Sequence, residues 1–266
     1  MTFDRDDPNA IVVMYPTGGY GNFLYMLLSN YLENTVKLPG HFEFSKTGNS
    51  HAVRRHVEPF CLGDQKSNLH YTYSVNPEAE EQIKQGKKFL VLGDMGNRGD
   101  NTNFLKRYFT NAAIVRVHAA SFEEKLIVWA NCIFKAYRSE VDPIYPGALI
   151  THKGIQAWAG RQDITDQDAV DCMANFFLQN FQPYGQYFNQ PRNDVINVAI
   201  REFLSEDSIV AMVQRVANEL STQLINEADL RVMAKRFMPT QKSFMLLTDE
   251  VSHFPLIARA LDACKK

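Results

Sequence analysis

The chain has 266 residues, 45% of them apolar and 22% charged, which is ordinary for a soluble globular protein with a real core. A net charge of −2 and a pI near 6.4 argue against a general nucleic-acid binder. No apolar run approaches the ~20 residues needed to span a membrane. Met1–Asn9 is acidic and polar, without the basic-then-apolar order of a signal peptide. The expectation is a soluble, cytoplasmic protein with neither nucleic acid nor membrane as a partner.

Ile11–Met14 reads as a buried strand and Asn22–Leu32 as an apolar helix, joined by the turn Thr17-Gly18-Gly19-Tyr20-Gly21. Tyr15-Pro16 keeps the chain extended before that turn. A glycine turn opening a helix points backbone N–H groups at one spot, and the helix dipole favours an anion there. Such turns also serve only to pack a helix tightly on a sheet. The turn lacks the Gly-Lys-Ser/Thr end of a Walker A motif.

Leu38–Lys66 is polar and loop-rich, with His41, His51, His56, Arg54 and Arg55. The histidine spacings match no familiar ligand pattern, which favours solvated or hydrogen-bonded histidines over a metal site. Cys61, Cys132, Cys172 and Cys264 form no C-x-x-C pair and read as reduced packing residues.

A strand is expected over Leu69–Val75. Asn76-Pro77-Glu78 starts a short helix that ends near Gly86. Lys88–Leu92 is a compact apolar strand leading into Gly93–Asp100, Asn101–Thr110 a short helix, and Ala112–Val117 a strand carrying Arg116 near its end. Ser121 and Glu124 form a capping box, followed by a stripe of Phe122, Leu126, Trp129, Cys132 and Ile133. This alternation predicts an α/β fold with a central, mainly parallel sheet, helices on both faces and a helix-rich C-terminal half. Ligands of such sheets gather at the carboxyl ends of the strands, where the Thr17–Gly21 turn, Asp94 and Arg116–His118 would meet.

Asp142–Gly160 reads as an irregular loop, and Thr165 with Asp168 caps a helix through Phe181. Val195–Phe203 is a further strand candidate, Ser205 caps a helix to Leu220, and Glu227–Phe237 and Phe254–Cys264 are helices. With no repeat or linker, one domain over 1–266 is the simplest account: a nucleotide-binding-like core at 10–140, then loop, helices and one strand.

The order of elements resembles the sulfotransferases, P-loop-related α/β enzymes that move a sulfuryl group from 3′-phosphoadenosine-5′-phosphosulfate to a hydroxyl or amine. Tyr15-Pro16-Thr17-Gly18-Gly19-Tyr20-Gly21 occupies the slot of the family's Y-P-K-S-G-T-T/S loop. Phe109-Thr110-Asn111-Ala112-Ala113-Ile114-Val115-Arg116 is similar to the segment ending in the arginine that binds the cofactor's 3′-phosphate. Ile200–Leu204 with Asp207–Leu220 resembles a later strand, acid and helix. The departures are Thr17 for the loop lysine, Tyr20 for its hydroxyl, Glu124 for a serine and Asp94 for the histidine base. The family's R-K-G segment has no match in Phe237–Leu246.

The resemblance implies that Thr17, Gly18, Gly19, Tyr20, Gly21 and Asn22 hold the phosphosulfate and Arg116 the adenosine-side phosphate. Asp94 or His118 would take the proton of a small-molecule or glycan acceptor, with no metal. The bland alternatives are that Arg116 pairs with Asp94 or Glu124, Asp94 caps a turn, and His118 is a wall residue. Gly18–Leu24 also resembles the G-G-x-G-N-Q-L/M opening of certain fucosyltransferases, and Asn97-Arg98-Gly99-Asp100 their R-R-G-D segment, which implies a nucleotide sugar instead. A third reading is a non-catalytic module descended from a transferase, binding a nucleotide or a partner without the lysine.

Overall fold

The computed structural model describes residues 7–16, 18–38, 55–57, 75–94, 110–138, 163, 165–181, 190–237 and 255–265. The chain divides into two compact units, Met1–His118 with Gln190–Thr240, and Ala119–Asn189 with Gln241–Lys266.

The first unit holds a four-stranded sheet of β1 (Ala10–Tyr15), β2 (Phe89–Asp94), β3 (Ala113–His118) and β4 (Ile196–Ala199), in the order β2-β1-β3-β4. These three strand pairings are all parallel, with Tyr15 opposite Asp94, Met14 opposite Arg116 and Arg116 opposite Asn197. β1 is apolar without alternation because it lies between two neighbours and is buried along its length. Chain order reverses between β2-β1 and β1-β3, so β1's carboxyl end sits at a topological switch point. The expected α/β class and parallel sheet are present.

Helix α1 (Gly21–Tyr31) is buried on nearly every side, as its all-round apolar sequence requires. Its C-terminal carbonyls are covered by Lys37, whose ammonium donates to Ser29 O (2.7 Å), Asn30 O (3.1 Å) and Leu32 O. A cation there also suits the helix dipole. Burial, then the charge of Lys87, pushes the Lys37 pKa down to about 8.

Helix α2 (Pro77–Lys84) starts as expected: Asn76 Oδ1 accepts from Glu78 N at 3.0 Å and Pro77 opens the first turn. It ends at Gly86 in the left-handed region (φ 83°), where Gly86 N donates to Ile83 O.

The strand expected over Val195–Phe203 is half as long. It stops at Ala199 and Ile200–Phe203 winds into a 3₁₀ turn. Local hydrogen bonds override the β-propensity of this segment. The Glu202 carboxylate turns back to accept from Ala199 N (2.7 Å), and Arg215 donates to both Glu202 (2.9 Å) and Asn197 O (2.8 Å). The turn delivers Ser205 as the cap of α5 (Glu206–Glu219), where Ser205 Oγ accepts from Ser208 N at 3.1 Å and Ser208 Oγ answers to Ser205 N. Helix α6 (Glu227–Phe237) completes the first unit. It runs antiparallel along α1: Tyr31 Oη donates to Asp229 at 2.8 Å at one end, and Phe23 stacks on Phe237 at 3.5 Å at the other.

The second unit contains α3 (Phe122–Arg138), α4 (Asp166–Phe181) and α7 (Pro255–Cys264). Both expected caps form. Glu124 Oε2 accepts from Ala120 N (2.6 Å) and Ser121 N (3.0 Å), and Asp168 Oδ2 accepts from Thr165 N (2.9 Å). Leu126 and Trp129 are buried, and the indole N–H donates to Met173 O at 2.9 Å. Phe122, expected in that stripe, is 37% exposed. α7 packs on α4, with Leu256 and Cys172 against Ala169. Cys172 and Cys264 are free thiols.

The expected strand at residues 69–74, helix at 101–109 and loop at 142–160, together with Thr17, His41, His51, Arg54 and Cys61, lie outside the described residues.

Candidate functional site

Because all four strands run the same way, Tyr15, Asp94, His118 and Ala199 end at one edge of the sheet. That edge also receives the β1–α1 turn. Of the residues singled out in the sequence, the structure therefore brings Gly18–Asn22, the backbone of Asp94, Arg116 and His118 to one part of the first unit.

The turn is tight. Gly19 N donates to Pro16 O at 2.7 Å, and Gly18 takes a left-handed conformation (φ 84°). A Cβ on Gly19 would stand 2.7 Å from the Pro16 ring, and one on Gly21 would stand 1.9 Å from the Tyr15 ring. At both positions glycine is required by close packing, so the tight-packing role is realised whatever else the turn does. Tyr20 is the N-cap of α1, at φ 61° and ψ 17°, and contributes no side-chain cap. For a residue with a Cβ this conformation costs about 1 kcal/mol. Its ring packs on Phe203 (centroids 5.0 Å apart) and Phe237 (5.7 Å).

No acidic residue occupies the first turn of α1. The positive end of the helix dipole therefore meets no carboxylate from its own first turn, as an anion site requires.

Arg116 is fully buried in β3 and shares a strand face with Ile114 and His118, which is also buried. Its Nη1 donates to the carbonyl of Gln190 at 2.9 Å. Asn197, opposite Arg116 in the register, holds that carbonyl's loop in place: its Oδ1 accepts from Arg192 N (2.9 Å) and its Nδ2 donates to Arg192 O (2.6 Å) and Val195 O (3.0 Å). Neither Gln190 nor Asn197 carried a signal in the sequence, since the first lies 74 residues from its partner. Glu124, which stands where the resemblance places a phosphate-binding serine, uses its carboxylate to cap its own helix.

A second polar group lies inside the first unit. His56 is wholly buried; its Nδ1 accepts from Leu90 N (3.0 Å) and its Nε2 meets Ser29 Oγ at 2.9 Å. Tyr25 Oη accepts from His56 N at 2.6 Å. The backbone donor on Nδ1 fixes the tautomer: Nε2 carries the proton and donates to Ser29. The pair thus has the residues of a nucleophile and its base but the opposite hydrogen-bond sense, so His56 cannot accept the serine proton. Burial, then the charge of Lys37, pushes the His56 pKa down to about 3 and keeps the ring neutral. The expectation of hydrogen-bonded histidines holds for His56.

Among the described residues, no group of three or more His, Cys, Asp or Glu side chains is placed to hold a metal ion. No described helix is long and apolar enough to cross a membrane. The fold and the edge define an α/β protein with a glycine turn at the switch point of a parallel sheet. Comparison with known proteins adds no relative: no family model, curated protein or solved structure matches the chain.

Proposed function

We propose that the chain binds an anionic nucleotide ester at the carboxyl edge of its sheet and acts as a sulfotransferase-like enzyme on 3′-phosphoadenosine-5′-phosphosulfate. The observation that carries this reading is the β1–α1 turn, which opens a helix with no acid in its first turn, at the point where strand order reverses. The amides of Gly18–Asn22 hold the phosphosulfate end and Arg116 the adenosine-side phosphate. Asp94 or His118 takes the proton of the acceptor, a small molecule or glycan, as its oxygen or nitrogen attacks sulfur and adenosine 3′,5′-bisphosphate leaves. Chemistry of this kind asks mainly for positioning and charge stabilisation, which a rigid parallel sheet supplies.

A second reading, binding without turnover, is favoured by the duties that expected site groups already perform. Glu124 caps α3, the Tyr20 ring sits among phenylalanines, and Arg116 donates to a backbone carbonyl. The two readings separate on one assay. Donor labelled in the sulfuryl group is incubated with the protein and a panel of phenols, amines and sugars. Labelled product that disappears with Gly19→Val supports transfer. Nucleotide bound without labelled product supports the second reading, and neither binding nor product contradicts both.

A further inference from the structure

A tyrosine is an unfavourable residue in the left-handed region, where glycine or asparagine would stand without strain. Tyr20 nonetheless caps α1 there. What holds it is a cluster of four rings. Tyr20 and Phe23, the cap and a first-turn residue of α1, each pack on both Phe203 and Phe237, at centroid separations of 5.0 and 5.7 Å for Tyr20 and 6.3 and 3.5 Å for Phe23. The Phe23–Phe237 pair is stacked, with planes 9° apart. Phe203 comes from the 3₁₀ turn after β4 and Phe237 from the last position of α6. At its other end α6 is tied to the last turn of α1 by Tyr31 and Asp229.

We propose that Tyr20 is a positioning residue: its ring, held by Phe203 and Phe237, fixes the left-handed cap of α1 and couples the β1–α1 turn to the C-terminal end of α6. The direction of the first-turn amides is then set by side-chain packing from two distant elements, not by the turn's glycines alone. Coupling is reciprocal, so an anion that orders the turn also tightens the end of α6. This last consequence rests on the anion-binding reading above; the coupling itself does not.

The test is amide hydrogen exchange on the full chain for wild type, Phe237→Leu, Tyr20→Leu and Tyr20→Phe. Leucine keeps apolar bulk at each position and removes the ring. The expected result is exchange at Gly19–Leu24 faster by about tenfold or more in both leucine variants, with Ile11–Met14 unchanged and Tyr20→Phe behaving as wild type. Unchanged exchange at the turn in Tyr20→Leu overturns the proposal, as does an equal acceleration throughout the sheet, which would mark general loss of stability. Should Phe237→Leu fail to fold, Tyr20→Leu decides alone. A parallel measurement with adenosine 3′,5′-bisphosphate should slow exchange at Ala234–Phe237 in wild type. If the nucleotide does not bind wild type, the functional reading fails, while exchange in its absence still decides the coupling.

Discussion

Lowering the pH should destabilise this protein through His56 in particular. The ring is wholly buried, with Nδ1 accepting from Leu90 N and Nε2 donating to Ser29, an arrangement that only the neutral tautomer can make. Its pKa falls from 6.5 in the unfolded chain to about 3 in the fold. Between those values the unfolded chain takes up a proton that the native state refuses. Stability therefore rises with pH through this window and is lost as pH falls below 6.5. At pH 4.5, two pH units into the window, the loss relative to neutral pH is about 3 kcal/mol. That is a large share of the ~5–15 kcal/mol typical of a domain.

Carboxylates also titrate over part of this range, so the contribution must be isolated. His56→Gln supplies an acceptor and a donor without a titrating group. Urea unfolding of both proteins between pH 4.5 and 7.5 reads the difference. Wild type should lose about 3 kcal/mol more than the variant across that range. Parallel pH profiles would refute the buried neutral histidine.

Other expectations follow from packing and caps. Gly21→Ala places a methyl 1.9 Å from the Tyr15 ring and should cost about 1–3 kcal/mol in denaturant unfolding, much of it absent in a Tyr15→Ala background. Ser205→Ala removes the side-chain cap of α5 and should lower stability by about 1 kcal/mol, whereas Ser205→Asp should be near neutral by the same measurement. Trp129→Phe leaves the Met173 carbonyl without its indole donor and should cost about 1–3 kcal/mol, read as a lower thermal midpoint.

The sheet was legible because its strands are compact apolar runs separated by turns and caps, a pattern that needs no distant information. The caps were legible for the same reason: Asn76 with Pro77, Ser121 with Glu124, and Thr165 with Asp168 all act within a few residues. What the sequence concealed is non-local. Arg116 donates to a carbonyl 74 residues away, and His56 is set by Ser29 and Leu90 on separate elements. The glycines of the turn were visible, but the rings that require two of them, Pro16 and Tyr15, announce nothing in one dimension. The shortened β4 shows the opposite failing. Ile200–Phe203 has strand propensity, and a single carboxylate, Glu202, bends it away.

The most direct test of the central claim is calorimetric and thermal-shift titration with adenosine 3′,5′-bisphosphate, beside Gly19→Val and Arg116→Met. A micromolar ligand at millimolar concentration should stabilise the wild type by roughly 4 kcal/mol, and both variants should weaken binding relative to their own unliganded baselines. A wild type whose stability the nucleotide leaves unchanged would contradict a nucleotide site on the carboxyl edge of this sheet.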